Sequence, residues 1–302
     1  MTPHHEYFFD IDAHGGVHHE GDEISDAGFL DFFYRQMRPN QTGNHPDFLF
    51  FSPCECDRNF IRAADTPVVF HRLVESAGNS SEICLQYAAS LRAPFAPAEL
   101  RFSPDGILYH PAPVGKYGRL APAAVMELAE NISAFGEYYA ITLNGVTDVV
   151  EPLDPSEQLR VLRPREGNMC VCCGAANPDG FRLSFLYDGC GKTARTWLTP
   201  DARMAGSLGI MHGGYVSLLL DEVMGKVLSG MGVKAPTARL DVQFRRPVPL
   251  GEEIALSGRL IGASGRKFTL AGEIRSAGGT ILAESQALFI ARAEAAVAAG
   301  AG

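Results

Sequence analysis

The chain has 302 residues, of which 46% are hydrophobic, 20% charged and 9% aromatic, a composition that excludes disorder, collagen and low complexity and a length that predicts two domains. The formal net charge of −9 is uneven: residues 1–165 hold 12 Lys and Arg against 23 Asp and Glu, net −11, while residues 166–302 hold 14 against 12, net +2. The acidic half excludes nucleic-acid binding there, because phosphate contacts need clustered cations, whereas the second half tolerates an anionic ligand.

In chain order, an aromatic run from Tyr7, an Asp/Gly turn and a short run ending at His19 predict a β-hairpin. Apolar residues at 29, 30, 33, 34 and 37 have the spacing of an amphipathic helix. Loops and short strands follow near 48–51, 65–70, 82–88 and 106–110, and a helix over 121–134 ends an α+β domain spanning 1–150. His14, His18 and His19 with Asp10 and Asp12 are read as solvated hairpin residues, since alternation sends neighbours to opposite faces. Arg58, Arg62 and Asp65 read either as an ion-pair network or as an anion pocket. Residues 151–167 carry three prolines and seven charges without an apolar period and are taken as a linker.

The second half, 168–292, predicts a hairpin over 181–198, a helix from about His212 to Met231, and strands near 237–246, 252–262, 267–276 and 280–291. The order describes a long helix followed by an antiparallel sheet wide enough to wrap it. The Ala- and Gly-rich tail, 293–302, has too little apolar bulk to order and is expected to be disordered.

Gly213 and Gly214 at the predicted helix start let a ligand approach unpaired backbone N–H groups at the positive end of the helix dipole. Asp221 follows three leucines in mid-helix, where a lone carboxylate is expensive to bury unless something uses or pairs it. His212 and Asp221 are separated by 2.5 turns and about 13 Å, so one chain's pair cannot act as a dyad. They serve different sites or a site shared between two chains. Cys170 and Cys173 have C-x-x-C spacing with Cys172 and Cys190 near, but a second pair is missing, and no metal is expected.

Residues 168–292 resemble the hotdog-fold acyl-CoA thioesterases of the phenylacetate-degradation, 4-hydroxybenzoyl-CoA thioesterase-like type. The resemblance rests on His212-Gly213-Gly214 with Asp221 nine residues after the His, on Arg239 to Gly251, and on Cys170 to Phe181 with its Asn177-Pro178 and Gly180. It implies hydrolysis of an acyl-CoA thioester without a cofactor. Asp221 would be general base or nucleophile, Thr237 would hold the water, and the Gly213 N–H of a facing subunit would polarise the carbonyl. It further implies a homodimer or homotetramer. His212 joins this catalytic set, and Gly214, Arg266 and Lys267 are the substrate-binding candidates, the two cations for coenzyme A phosphates. Ala205 and Gly206 stand where related enzymes often carry a Gln or Asn. They keep open a second reading, a non-catalytic acyl-CoA-binding or scaffolding module that presents the first domain.

The first half, about residues 6–145, resembles an uncharacterised family of bacterial and animal proteins through the Tyr7–Gly15 run, Ser52–Cys54, Arg58–Arg62, Asp65–Phe70 and Leu108–Pro111; that resemblance implies no activity. No run of about eighteen uncharged apolar residues occurs, so no membrane span is expected. The opening residues lack the features of a secretory signal or transit peptide, and seven cysteines suit a reducing compartment, so a cytoplasmic protein is expected.

Overall fold

A computed structural model describes residues 5–54, 57–76, 79–135, 138–156 and 159–292. The tail read as disordered lies outside these residues. The chain divides into two compact units, residues 1–131 and 132–302.

In the first unit, Glu6–Ile11 pairs antiparallel with Val17–His19, forming the expected hairpin, and in parallel with Asp57–Ala63, which continues to Phe50–Cys54. The helix Ala27–Gln36 starts on Asp26, whose side chain accepts the Phe29 N–H, and buries Phe33 and Tyr34. Phe33 packs on Phe9 of the sheet at 5.0 Å between ring centroids, and its carbonyl accepts from the buried Ser52 hydroxyl. The expected helix over 121–134 is shorter, Pro122–Leu128 with a 3₁₀ turn to Asn131, and the chain then becomes strand Ile132–Phe135. β-branched and aromatic residues there favour the extended form.

The second unit is a helix on a seven-stranded antiparallel sheet. In spatial order the strands are Leu159–Leu162, Phe185–Asp188, Thr193–Leu198, Ile254–Ser264, Lys267–Ser276, Ile281–Ile290 and Thr237–Phe244. The helix, Gly213–Gly230, turns Val216, Leu219, Leu220, Val223, Met224, Val227 and Leu228 onto the sheet. That three-and-four spacing is what makes one helical stripe apolar. Close approach is set by Gly258, where a Cβ would stand 2.8 Å from the Val223 carbonyl oxygen. Strands alternate accordingly: Leu256, Leu270, Ile274, Ala283 and Ala287 face the helix.

Two findings differ from the linker reading. Leu159–Leu162, inside 151–167, is the outer strand of this sheet, paired with Phe185–Asp188, and the unit boundary falls after Asn131. The meander Ile132–Phe135, Tyr138–Leu143 and Val146–Val149 belongs to this unit, where Ala140 and Val149 pack against Leu186, Trp197 and Ala255 on the sheet face away from the helix. Proline and charge density in 151–167 masked a four-residue strand too short to show a period.

Candidate active site

The hairpin Ala205–Ser207 and Ile210–Met211 delivers the chain to the helix. His212 is the N-cap, with extended backbone, and its Nδ1 accepts the Gly214 N–H at 2.9 Å. That bond commits the His212 ring and the Gly214 N–H to each other. Among the described residues the Gly213 N–H has no protein acceptor, and it points from the positive end of an eighteen-residue helix. A cleft of about 320 Å³ opens here, lined by Met211, Gly213, Val216, Phe244, Arg245 and Arg246 among others. Gly206 stands beside it: a Cβ there would lie 2.7 Å from the His212 Cα, so the fold leaves no room for a longer side chain.

Asp221 sits two turns along the same helix, half-buried. Its Oδ1 accepts the Thr237 hydroxyl at 2.6 Å, Thr237 opening the edge strand Thr237–Phe244. Burial pushes the Asp221 carboxyl above the ordinary Asp range, the Thr237 hydrogen bond opposes this, and the neighbouring Glu222 charge reinforces it. The resemblance gave Asp221 and Thr237 separate roles, base or nucleophile and holder of the water; the structure places the two side chains in direct contact. Asp221 and the Gly213 N–H, eight residues apart on one helix, are about 12 Å apart along its axis.

Arg266 and Lys267 lie at the exposed turn joining Ile254–Ser264 to Lys267–Ser276. Lys267 pairs with Ile290, and Thr237 pairs with the adjacent Phe289, so the turn is at the Thr237 end of the sheet, two strand spacings or about 10 Å away. Arg245 is taken up by Glu284 at 2.7 Å, while the exposed Arg246 side chain has no ion pair among the described residues. Sequence alone could not separate these two adjacent arginines.

A loop segment from Arg165 to Phe181 runs antiparallel along the helix. Arg165 bonds Ser229, Cys170 meets Glu222, and Phe181 packs edge-on against Tyr215. Glu222 also pairs with Lys226 at 3.2 Å, and Lys226 lies over the Phe185 ring. Sequence reading missed this pair; the signal was an i,i+4 Glu and Lys on an otherwise apolar helix. Cys190 lies apart from it, in the exposed turn between Phe185–Asp188 and Thr193–Leu198.

In the first unit, Arg58, Arg62 and Asp65 do not form one network. Arg62 pairs with Asp10 at 2.7 Å on the surface, Arg58 approaches Glu6 at 4.0 Å, and Asp65 holds Arg119 and the Tyr109 hydroxyl. Arg58 and Arg62, four residues apart on one strand, share a face, but each meets the acid opposite it on Glu6–Ile11, and Asp65 lies beyond the end of the strand. His18 pairs with Asp12 at 3.0 Å, and His19 bonds the Phe8 carbonyl.

Comparison with known proteins finds a separate match in each half of the chain, the first running past the unit boundary at Asn131 into the strands Ile132–Phe135 and Tyr138–Leu143. Residues 2–142 match the model of a domain of unknown function, DUF4505, and residues 208–283 match that of the thioesterase superfamily. Over 112 residues the chain is 29% identical to mouse acyl-coenzyme A thioesterase THEM4, covering 37% of this chain and 48% of that protein. The bovine protein of that name is 33% identical over 88 residues, 29% of this chain and 36% of that one. The chain thus spans less than half the length of either curated relative. A crystal structure of a thioesterase superfamily protein aligns with 34% identity and a TM-score of 0.35, over 37% of this chain and 57% of its own. The chain carries a DUF4505 domain in its first half and a hotdog domain of the thioesterase superfamily in its second.

Proposed function

We propose that the second unit hydrolyses acyl-CoA thioesters at a site shared between two copies of the chain. The observation that carries this is Asp221: a half-buried carboxylate, raised by desolvation, with a hydroxyl held on one of its oxygens. The second oxygen is left for a water or a thioester carbonyl, so the group acts as general base or as nucleophile. The free Gly213 N–H supports a second role in the same reaction, stabilising charge on the carbonyl oxygen. With ~12 Å between the two on one helix, a thioester carbonyl meets both only if one comes from each copy.

The exposed edge favours such pairing. Thr237–Phe244 is the last strand of the sheet, Phe244 at its end is 59% exposed beside the Gly213 cleft, and Leu208 at the tip of the preceding hairpin is fully exposed. Coenzyme A as the thiol is supported by the names of the curated relatives and by Arg246, Arg266 and Lys267, which offer exposed cations to phosphates. His212 acts as the cap that presents the Gly213 N–H. Thiol release from short, long and aromatic acyl-CoAs tests the reading. Turnover that falls at least about a hundredfold in Asp221→Asn supports it, and unchanged turnover removes Asp221 from the chemistry.

Binding without hydrolysis remains a second reading because Ala205 and Gly206 supply no side-chain donor to the carbonyl. Acyl-CoA binding seen by calorimetry with no free thiol would favour it.

A further inference from the structure

Cys170, Cys173 and Glu222 present two sulfurs and a carboxylate oxygen that all lie within 4.8 Å of one another, the one such group of metal-ligating side chains among the described residues. Cys173 is buried, Cys170 and Glu222 are partly so, and the Cys170 sulfur is 3.8 Å from Glu222 Oε2. The sulfurs come from a tight turn in which the Gly174 N–H bonds the Cys170 carbonyl. A Cβ on Gly174 would meet backbone atoms of Cys170 at 2.5 Å, so the turn that brings the two cysteines together requires Gly there. Glu222 comes from the helix, fifty residues later.

We propose that Cys170, Cys173 and Glu222 bind a thiophilic divalent cation, zinc in the first instance, which clips the Arg165–Phe181 segment to the helix beside Asp221. The dimensions fit: two sulfurs at about 2.3 Å from zinc in tetrahedral geometry lie about 3.8 Å apart, and the ligand atoms here all lie within 4.8 Å of one another. Three protein ligands leave a fourth position for water. Charge decides in favour of a dication. Binding releases the two thiol protons, so two thiolates and one carboxylate face one zinc ion and the Lys226 ammonium, and the half-buried cluster is neutral. Lys226 pairs with Glu222 Oε1 at 3.2 Å and hydrogen-bonds Cys173, while the Cys170 sulfur faces the other carboxylate oxygen, Oε2, so the ammonium leaves that oxygen to the ion and is a donor to ligand atoms. The C-x-x-C spacing alone lacked a further ligand, and the fold supplies it.

The test uses the full chain, reduced, stripped with a chelator and titrated with cobalt(II). The expected result is one cobalt per chain with sulfur-to-cobalt charge-transfer absorption, displaced by zinc. The Cys170→Ser/Cys173→Ser double variant should lose the band and Cys190→Ser should keep it. Glu222→Gln should weaken binding by at least the roughly tenfold that loss of an outer-shell partner costs. Should the double variant not fold, zinc protection of Cys170 and Cys173 from alkylation, mapped by peptide mass spectrometry, decides the matter in the native sequence. No charge-transfer band in the reduced protein, a band that survives the double variant, or alkylation unaffected by zinc would each overturn the proposal, as would oxidation to a Cys170–Cys173 disulfide with no metal uptake by the reduced form.

Discussion

Asp221 carries an energetic cost that its neighbours only partly offset. Desolvation raises its carboxyl, so the folded state holds the proton more tightly than the unfolded chain does. The associated stability is present below the ordinary Asp range and is lost as pH rises through the raised value. Asp221→Asn should therefore melt at or above wild type at neutral pH while losing turnover, and the difference in melting temperature should vanish in acid. Lower stability of the variant at neutral pH would contradict this sign. Thr237 tests the same group from outside. Removing its hydroxyl in Thr237→Val takes away the bond that favours the ionised form, so the acid limb of kcat/KM should move to higher pH and kcat should fall, with Thr237→Ser restoring both. Arg246→Ala should raise KM for acyl-CoA about tenfold with little change in kcat if the cation meets a phosphate. At this scale the sequence was informative where chemistry and position coincide. A carboxylate after three leucines announces itself, and Thr237 followed from resemblance. Long-range partners were invisible: nothing local distinguishes Arg246 from Arg245, which Glu284 takes up from another strand.

The long helix and its sheet were legible as elements because each shows a strong period. The helix was expected from about His212 to Met231 and runs Gly213–Gly230 with those residues as its caps, and all four following strands begin and end within two residues of expectation. The linker was not legible, because the strand Leu159–Leu162 is short and its pairing partner lies more than twenty residues away. The helix-to-sheet distance is set by residues without side chains, which sequence periodicity cannot reveal. Gly258→Ala would drive a methyl group against the Val223 backbone and should destabilise the second unit by about 1–3 kcal/mol in denaturant melts, since neither backbone can yield cheaply. A neutral substitution there would show that the helix rides higher on the sheet than described.

For the molecule as a whole, a cut at the unit boundary after Asn131 puts all the net charge in the first unit, with 9 Lys and Arg against 18 Asp and Glu, and leaves the second neutral at 17 against 17; the first half carries a domain of unknown function and the second one of the thioesterase superfamily. The second has a candidate site whose parts stand apart within one chain, and the proposed hydrolysis needs two chains to complete it. Gly213→Pro isolates one half of that requirement. Proline suits the first helical position, the extended His212 backbone suits a residue before proline, and the substitution removes only the free N–H, at the cost of a tight approach to the Phe244 ring. Asp221→Asn removes the other half. The most direct measurement is thiol release by Gly213→Pro and Asp221→Asn chains, each inactive alone, after unfolding and refolding together. Random pairing of shared sites should restore about a quarter of wild-type turnover, because half of the dimers are mixed and each carries one intact site. A mixture no more active than its two parents would contradict a site built from two chains.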